Sequence, residues 1–254
     1  MLTFRSITAT HPGMVRQLNE DSLVSRDDAG LWAVADGMGG HQAGDLASQT
    51  VKRALEQVPV TATLSSLLQA TRTAISDANA ELLGLDSQYD PGRVPGSTVA
   101  ALLIREGEGA VVWAGDSRIY RLRDGETQQI TRDHSHVQEL VDQRLIEPEE
   151  AEQHPMANVI TRAVGIEEPI ELDVLHFRVA PDDRFLLCSD GLSRLLTLEE
   201  IHDQVRSSDP DEAVRSLLHT ALVRGAPDNV SIISVKRAEP ENDTEDATRV
   251  AAIG

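Results

Sequence analysis

Four aspartates of this chain stand where an apolar, strand-like run begins or ends. Asp36 follows Trp-Ala-Val-Ala, Asp116 follows Val-Val-Trp-Ala-Gly, Asp190 follows Phe-Leu-Leu-Cys-Ser, and Asp228 comes just before the run that starts at Val230. Strand ends fix a side chain firmly, and burying an unpaired carboxylate there is costly. Four such positions are therefore better explained as ligands converging on cations than as four separate structural accidents.

The donor types indicate which cations these would be. Carboxylates, a glycine carbonyl and water are hard oxygen ligands that select Mg²⁺ or Mn²⁺ over zinc. Two such ions held together activate a water for in-line attack on phosphorus, and an arginine is then needed to grip the phosphate oxygens. Arg16, just before Glu20 and Asp21, is the candidate, although its local sequence is more typical of a surface ion pair.

The segment from Leu31 to Gly44 shows how one of these acids would be positioned. Five apolar residues end in Asp36, and four glycines follow it in a turn that lets the backbone approach a ligand closely. An Asp-Gly pair is also a favoured ordinary turn. Asp124-Gly125, between two strand-like runs, predicts such a plain hairpin turn.

Alternation and helical periodicity predict the elements that carry these residues. The predicted strands are 4–10, 23–25, 31–35, 97–104, 110–114, 118–122, 127–131, 170–179, 184–188 and 230–236. The predicted helices are 41–58, 64–82, 197–205, opened by a Thr-x-x-Glu capping box, and 209–224, opened by Asp-Pro. Strands follow one another at 97–122 with no helix between them, which predicts a mainly antiparallel, layered α+β fold with helices outside a β core.

Residues 132–165 differ from the rest in being polar and only weakly periodic, and they indicate a small excursion from the sheet. Three histidines fall there, His134, His136 and His154. None has the His-Glu-x-x-His spacing of a helical zinc site. Structural or substrate-facing roles are therefore favoured over metal ligation.

Length, net charge and cysteine content exclude several classes of function and indicate a cellular location. The 254 residues fit one large domain or two small ones, and the net charge of -19 argues against nucleic-acid or anionic-membrane binding. No signal peptide or membrane span is predicted. The single cysteine, Cys188, excludes an internal disulfide and suits a reducing compartment, so a cytoplasmic location is expected. Residues 238–254 lack periodicity and are acid-rich in their first half, which predicts a disordered tail.

Six short motifs, each of which occurs once, follow one another along the chain. They are Arg16-x-x-Asn19-Glu20-Asp21, Ala35-Asp36-Gly37-Met38-Gly39-Gly40, Gly96-Ser97-Thr98, Gly115-Asp116-Ser117-Arg118, Ser189-Asp190-Gly191 and Asp228-Asn229. Each is weak alone, but the ordered set resembles the metal-dependent type 2C protein phosphatases, and most closely their bacterial branch. The resemblance spans about residues 16–236, nearly the whole chain.

The resemblance implies a four-layer α-β-β-α sandwich, with two mainly antiparallel sheets flanked by helical hairpins. Residues 1–237 would form the catalytic domain, including a flap at about 132–165 near the metal site. The implied reaction is hydrolysis of phosphoserine and phosphothreonine in proteins by a water bridging two Mn²⁺ or Mg²⁺ ions. The enzyme would be a monomer that reverses a bacterial Ser/Thr protein kinase, with phosphoproteins as substrates.

The same resemblance implies the metal ligands. Asp36 would bridge both ions, and the carbonyl group of Gly37 would bind the first. Asp190 and Asp228 would hold the second ion. Asp116, together with Asp190, would help to hold a third, weaker one.

It also implies the residues around the metals. Glu20 and Asp21 would act through water or beside the ligands, as would Asn229, and Arg16 would bind the substrate phosphate. One departure concerns Met38, because eukaryotic members have a histidine there that is a proposed general acid. His41 is close in sequence but could equally face solvent, so the donor of the leaving-group proton is left open.

Two other functions fit parts of the sequence. Cys188 and Arg194 have the Cys-x5-Arg spacing of cysteine-dependent phosphatases, in which a thiolate attacks phosphorus. Asp190 would then put a negative charge into the phosphate cradle, and the remaining acids would be unexplained. A non-catalytic binding module of the same fold is the second alternative; it would be marked by loss of the metal-site acids, all of which are present.

Overall fold

The computed structural model describes residues 3–40, 42–85, 94–151, 153–207 and 209–238. The strands are β1 (Phe4–His11), β2 (Asp21–Arg26), β3 (Leu31–Met38), β4 (Gly96–Ser97), β5 (Val99–Arg105), β6 (Glu108–Ala114), β7 (Arg118–Arg123), β8 (Glu126–Gln129), β9 (Asp173–Arg178), β10 (Arg184–Cys188) and β11 (Val230–Arg237). The helices are α1 (Gln42–Glu56), α2 (Leu64–Leu83), α3 (His136–Asp142), α4 (Pro148–Ala151), α5 (Asp190–Ser193), α6 (Leu198–Ser207) and α7 (Pro210–Val223). No helix in these ranges has the length and apolar character needed to cross a bilayer.

The strands form two sheets. One has the order β1-β11-β10-β7-β8 and the other β2-β3-β5-β6-β9, with β4 paired to the end of β3. Every strand pair within them is antiparallel. The prediction of mainly antiparallel sheets is confirmed.

Three apolar clusters separate four layers. Helices α1 and α2 cover one sheet over a cluster that includes Leu55, Leu67 and Leu103. Trp32 and Phe185 belong to the cluster between the two sheets, and α6 and α7 cover the second sheet over another cluster. The α-β-β-α sandwich is thus confirmed, and its layers are held together chiefly by burial of aliphatic surface.

Local signals in the sequence act as predicted at several element ends. The hydroxyl oxygen of Thr197 accepts a hydrogen bond from the N–H of Glu200 (3.3 Å), and Glu200 Oε2 accepts one from the N–H of Thr197 (3.0 Å), which is a reciprocal capping box. Asp209 caps α7 through the N–H of Asp211 (3.0 Å), with proline in the first turn. Asp124-Gly125 forms the tight turn between β7 and β8, as predicted.

A few boundaries differ from those predicted. Strand β3 continues to Met38 rather than ending at residue 35, because Asp36 pairs with Asp21 and Gly37 pairs with Ser97, and so no turn begins at Asp36. Helix α1 ends at Glu56 rather than residue 58, because Val58 precedes a proline, which disfavours the helical backbone there. Strand β9 begins at Asp173 rather than residue 170, since Ile170 and Leu172 pack against the core without joining the ladder. The predicted tail at 238–254 and His41 lie outside the described residues, except for Ala238, and so the tail stays a prediction.

Candidate active site

The predicted acids lie together at one end of the sandwich. Strands β3 and β10 run toward this end; β3 carries Asp36 near its end and β10 leads into Asp190. Strands β7 and β11 start from this end, just after Asp116 and Asp228. Asp21, the first residue of β2, lies directly opposite Asp36 in the ladder. The end of β10 lies opposite the starts of β7 and β11. Antiparallel pairing therefore brings residues that are distant in sequence to the same edge.

Buried hydroxyl groups hold these acids in place. The N–H of Asp36 donates to Oγ1 of Thr98 (2.9 Å), which lies 2.7 Å from Oγ of Ser117, next to Asp116. Ser189 donates its hydroxyl proton to Asp21 Oδ2 at 2.8 Å, which ties the two sheets together. Thr98 and Ser117 belong to motifs in the sequence, but their positioning roles become visible only in the structure.

The acids repel one another strongly. Burial, followed by the charges of the surrounding acids, raises the pKa of Asp36 well above its ordinary value. Burial is also the largest cause that raises the pKa of Asp21 to about 7 and that of Asp116 to about 7. The pKa of Asp190 is raised as well, and its side chain is within hydrogen-bonding reach of Asp36. A fold that crowds ionisable groups in this way needs compensating positive charge when they are ionised.

The carboxylates fit divalent cations. Oδ1 of Asp21 and Oδ1 of Asp116 are buried and have no hydrogen-bond partner, and buried charged oxygens need such a partner or a cation. In the described part of the chain, no three His, Cys, Asp or Glu side chains are grouped closely enough to enclose an ion by themselves. Mg²⁺ commonly takes only one or two carboxylates and completes its shell with water. The donors suit hydrated ions in an open cleft better than a closed protein cage.

The loop that carries Arg16 is fastened to this end by Asn229. Its side-chain amide donates to the carbonyl groups of Pro12 (3.0 Å) and Leu18 (2.9 Å), and its Oδ1 accepts from the N–H of Glu20 (2.8 Å). Asn229, predicted only as a neighbour of the ligands, thus positions the loop. Since the loop also carries Glu20, one side chain sets the place of an acid and of the candidate phosphate-binding arginine.

Arg16 itself lies at the mouth of the site. Its guanidinium group donates to Asp228 Oδ2 at 2.8 Å, and the side chain is 52% exposed. This contact, the largest cause, raises the pKa of Arg16. Arg16, Asp36, Asp190 and Asp228 line one cleft of about 450 Å³, together with Glu20 and residues 37–40. The structure shows the surface ion pair that the local sequence favoured for Arg16, at the mouth of the cleft, and the binding of phosphate by Arg16 stays a prediction.

Glycine is required where Gly37 passes Gly44. A Cβ atom on Gly37 would lie 2.1 Å from the carbonyl oxygen of Gly44 and 2.6 Å from that of Glu20. The backbone after Asp36 is therefore pressed against α1 and the Glu20 segment. Met38 packs beside Gly96, whose added Cβ atom would lie 2.8 Å from the Met38 methyl group.

Arg194 has a role that the sequence did not reveal. Its Nη2 atom lies 3.1 Å from Asp116 Oδ2 and 3.0 Å from Asp190 Oδ2. It also donates to the carbonyl oxygen of Ala157 at 3.3 Å, and Nη1 contacts Asn158 Oδ1. The i, i+4 spacing from Asp190 is the one local signal that a helix could have provided.

Besides the contacts of Ala157 and Asn158 with Arg194, residues 132–165 approach the site through His134. Nδ1 of this buried histidine accepts a hydrogen bond from the N–H of Gly115 at 3.2 Å, its Nε2 lies 3.3 Å from Asp173 Oδ2, and its ring stacks on Trp113. Burial, the largest cause, lowers the pKa of His134. Its ring is occupied by structural contacts, in line with the role favoured from the sequence.

Cys188 is poorly suited to nucleophilic chemistry. It is fully buried, and burial raises the pKa of its thiol to about 12, so almost no thiolate exists near neutral pH. Arg194, which would bind the phosphate in that mechanism, is engaged by Asp116 and Asp190. The geometry opposes a cysteine-dependent phosphatase.

Solved structures and curated proteins share this architecture. PppA, a key regulatory component of T6SS in Pseudomonas aeruginosa, superposes with a TM-score of 0.86 and 43% identity over 93% of this chain and 98% of that chain. The catalytic domain of the phosphatase PstP in complex with 2 manganese ions gives a TM-score of 0.81 and 37% identity, covering 94% of this chain and all of that chain.

The full-length Ser/Thr phosphatase PstP of Mycobacterium tuberculosis is 38% identical over 232 residues, which cover 91% of this chain. The chain spans only 45% of the length of PstP. The family model described as protein phosphatase 2C matches residues 14–225. The ordered acids, the sandwich that gathers them and these matches agree, and the chain belongs to the protein phosphatase 2C family.

Proposed function

We propose that this chain is a protein-serine/threonine phosphatase that depends on Mn²⁺ or Mg²⁺. The observation that carries the proposal is the crowding of mutually repelling carboxylates at one end of the sandwich, where Asp21 and Asp116 are buried and Asp36, Asp190 and Asp228 line a cleft that also holds Arg16. Proteins similar to it over nearly its whole length are named Ser/Thr phosphatases, and one of them was crystallised with two manganese ions.

Five residues are proposed to hold and surround the ions. Burial and the charges of the surrounding acids raise the pKa of Asp36, and Asp36 would help to hold both ions, with the carbonyl group of Gly37 beside it. Asp190 and Asp228 would hold the second ion, and Asp21 would accept hydrogen bonds from coordinated water through its unpartnered Oδ1. When bound, the ions supply charge compensation and a water that loses its proton near neutral pH for in-line attack on phosphorus.

The chain's own groups would then orient the substrate. Arg16 is half-exposed at the cleft mouth, so its fork of donors is placed to bind a phosphate group that arrives on a protein surface. Asn229 keeps that arginine in place through the loop. Met38 has no proton to donate, so this position does not supply the proton of the departing serine or threonine oxygen.

The proposal also includes the substrates of the enzyme and its location in the cell. Phosphoproteins, including a bacterial Ser/Thr protein kinase and its targets, are the proposed substrates. The net charge of -19 opposes binding to nucleic acid or anionic membranes. A buried free thiol fits a reducing compartment, which supports a cytoplasmic location, and a monomer is proposed on the family resemblance. A non-catalytic binding module would have no need to retain a costly cluster of buried acids.

Substrate class is tested by phosphate release from matched peptides. A phosphothreonine peptide and the same peptide with phosphotyrosine would be compared in excess Mn²⁺, each with an EDTA control. We expect turnover of the phosphothreonine peptide in Mn²⁺ alone and much slower turnover of the phosphotyrosine peptide. A clear preference for phosphotyrosine, or no turnover of either peptide, would overturn the proposed substrate class.

A further inference from the structure

The guanidinium group of Arg194 occupies the gap between two of the site's carboxylates. Its Nη2 atom contacts Asp116 Oδ2 at 3.1 Å and Asp190 Oδ2 at 3.0 Å. The side chains of Asp116 and Asp190 are only 5% and 16% exposed. These two aspartates are the pair that the family resemblance assigned to a third, weaker metal ion.

We infer that Arg194 takes the place of that third ion, so that the site holds two divalent ions and one built-in cation. The inference rests on the proposed metal-dependent function. It concerns how many ions the site takes and which residue limits that number.

Geometry gives the first reason. An ion shared by Asp116 and Asp190 would sit about 2.0–2.2 Å from an oxygen of each, as Mg²⁺ and similar ions do. Both residues instead turn Oδ2 toward the same nitrogen of Arg194. A shared third ion would have to displace this nitrogen, and the positive charge of the guanidinium group would repel it.

Charge balance gives the second reason. Six acids line or adjoin the site, namely Glu20, Asp21, Asp36, Asp116, Asp190 and Asp228, and two arginines contact them, Arg16 and Arg194. When all are ionised they leave four negative charges, which two divalent ions neutralise. A third divalent ion would leave the cluster positively charged.

Arg194 also connects the two aspartates to the flap by hydrogen bonds, which a metal ion at this position could not donate. Nη2 donates to the carbonyl oxygen of Ala157 and Nη1 contacts Asn158 Oδ1. The planar fork of donors therefore joins the acid cluster to residues 157–158 of the flap. Arg194 is thus a positioning residue for the flap as well as a fixed charge.

The direct test counts bound Mn²⁺ by equilibrium dialysis and metal analysis at increasing Mn²⁺ concentration. We expect two ions per chain for the unaltered protein and a third, weaker one for Arg194→Ala. The double variant Arg194→Ala with Asp116→Asn should return to two. Arg53→Ala, which breaks a surface ion pair with Glu81 far from the cleft, is the matched control and should bind two ions.

The outcomes separate this inference from the proposed function. Three ions on the unaltered protein, or no gain of an ion in a folded Arg194→Ala variant, would overturn the role of Arg194. No bound Mn²⁺ at all would overturn the metal-dependent function itself. If Arg194→Ala does not fold, Arg194→Met is used instead, because methionine keeps much of the side-chain volume without the charge. Independently of both variants, three Mn²⁺ ions bound to the unaltered protein would contradict the inference.

Hydrogen exchange provides a second readout that does not depend on activity or metal. In the metal-free protein, amides in residues 157–161 should exchange faster in Arg194→Ala than in the unaltered protein, whereas Arg53→Ala should not change them. Unchanged exchange in this segment would contradict the link between Arg194 and the flap.

Discussion

An aspartate lies at each end of strand β10, and the two carboxylates differ in the charged groups that surround them. Asp183, just before the strand, accepts hydrogen bonds from Arg123 Nε (2.7 Å), Arg123 Nη2 (2.6 Å) and the N–H of Ala180 (2.8 Å). Asp190, at the other end, lies among further acids, and burial raises its pKa despite the contact with Arg194. Asp183 has its counter-charge supplied by the chain, whereas the acids of the site are proposed to receive most of theirs from bound ions.

The same contrast holds for the two Asp-Gly pairs at these ends, of which Asp124-Gly125 forms a turn between β7 and β8 and Asp36-Gly37 lies within β3. Asp124 and Gly125 both have positive φ, 52° and 80°, and a Cβ atom added to Gly125 would meet nothing within 4 Å. Asp36 is followed by Gly37, around which backbone carbonyl groups leave no space. Gly125 thus belongs to a turn that only reverses the chain, whereas the crowding around Gly37 fixes the backbone next to Asp36.

The largest difference is expected when one aspartate at each end is replaced by asparagine, since one replacement should affect turnover and the other the free energy of unfolding. Asp36→Asn should lower turnover of a phosphothreonine peptide by orders of magnitude at any Mn²⁺ concentration, without destabilising the metal-free protein, because it removes a repelled buried charge. Asp183→Asn should lower the free energy of unfolding by about 1–3 kcal/mol and leave kcat nearly unchanged. Steady-state kinetics and thermal unfolding in EDTA would be measured for both variants. An active Asp36→Asn enzyme would contradict the functional difference between the two ends.

Alanine at the glycine of each Asp-Gly pair should give the next largest difference between the two ends. Gly37→Ala forces backbone groups apart beside the ligands, so we expect a large loss of Mn²⁺ affinity and of activity. Gly125→Ala carries only the strain of a left-handed backbone, about 1–2 kcal/mol, which should lower Tm by several degrees and leave kcat unchanged. Calorimetric Mn²⁺ titration and melting curves test both, and normal Mn²⁺ binding by Gly37→Ala would contradict the crowding argument.

The pH dependence should also distinguish the site. Because the pKa values of Asp21 and Asp116 are raised to about 7 in the folded metal-free protein, the unfolded chain loses these protons first, near pH 4. Their contribution to the free energy of unfolding therefore falls as pH rises from about 4 to about 7 and is level above that.

Mn²⁺ needs the ionised carboxylates, so it should raise Tm more at pH 8 than at pH 6. Differential scanning calorimetry with and without Mn²⁺ at the two pH values measures this difference. A larger Mn²⁺-induced shift at pH 6 would show that the raised pKa values do not belong to the groups that respond to the metal.

The smallest effect is expected from the buried thiol. Cys188→Ser should leave turnover within a few-fold of the unaltered rate, because Cys188 is buried in the core at the end of β10, the strand that precedes Asp190. Peptide turnover, with circular dichroism to verify folding, checks this. Loss of activity by several orders of magnitude in a folded variant would restore the cysteine nucleophile.

Much of the fold could be predicted because each element carries its own local signal. Alternating strands, the helical faces of α1 and α2, the capping box at Thr197 and the turn at Asp124 depend on residues close in sequence. The acids of the site could also be located, since each is at the end of an apolar run and antiparallel strands bring such ends together.

Contacts between distant segments could not be predicted in the same way. Arg16 and Asp228 are 212 residues apart, and the gap filled by Arg194 is defined by a loop after β6, a helix of four residues and the flap. The role of His134 depends on stacking against Trp113. No periodic pattern encodes these contacts, because they arise only when the layers pack.

The central claim is that the crowded carboxylate end is built for two divalent ions that the reaction requires. The most direct measurement adds Mn²⁺ stepwise to the metal-free protein and follows bound Mn²⁺ and phosphate release from a phosphothreonine peptide in the same samples. We predict no turnover in excess EDTA, and a rate that rises with occupancy and is complete at two ions per chain. Full turnover in excess chelator would contradict the account.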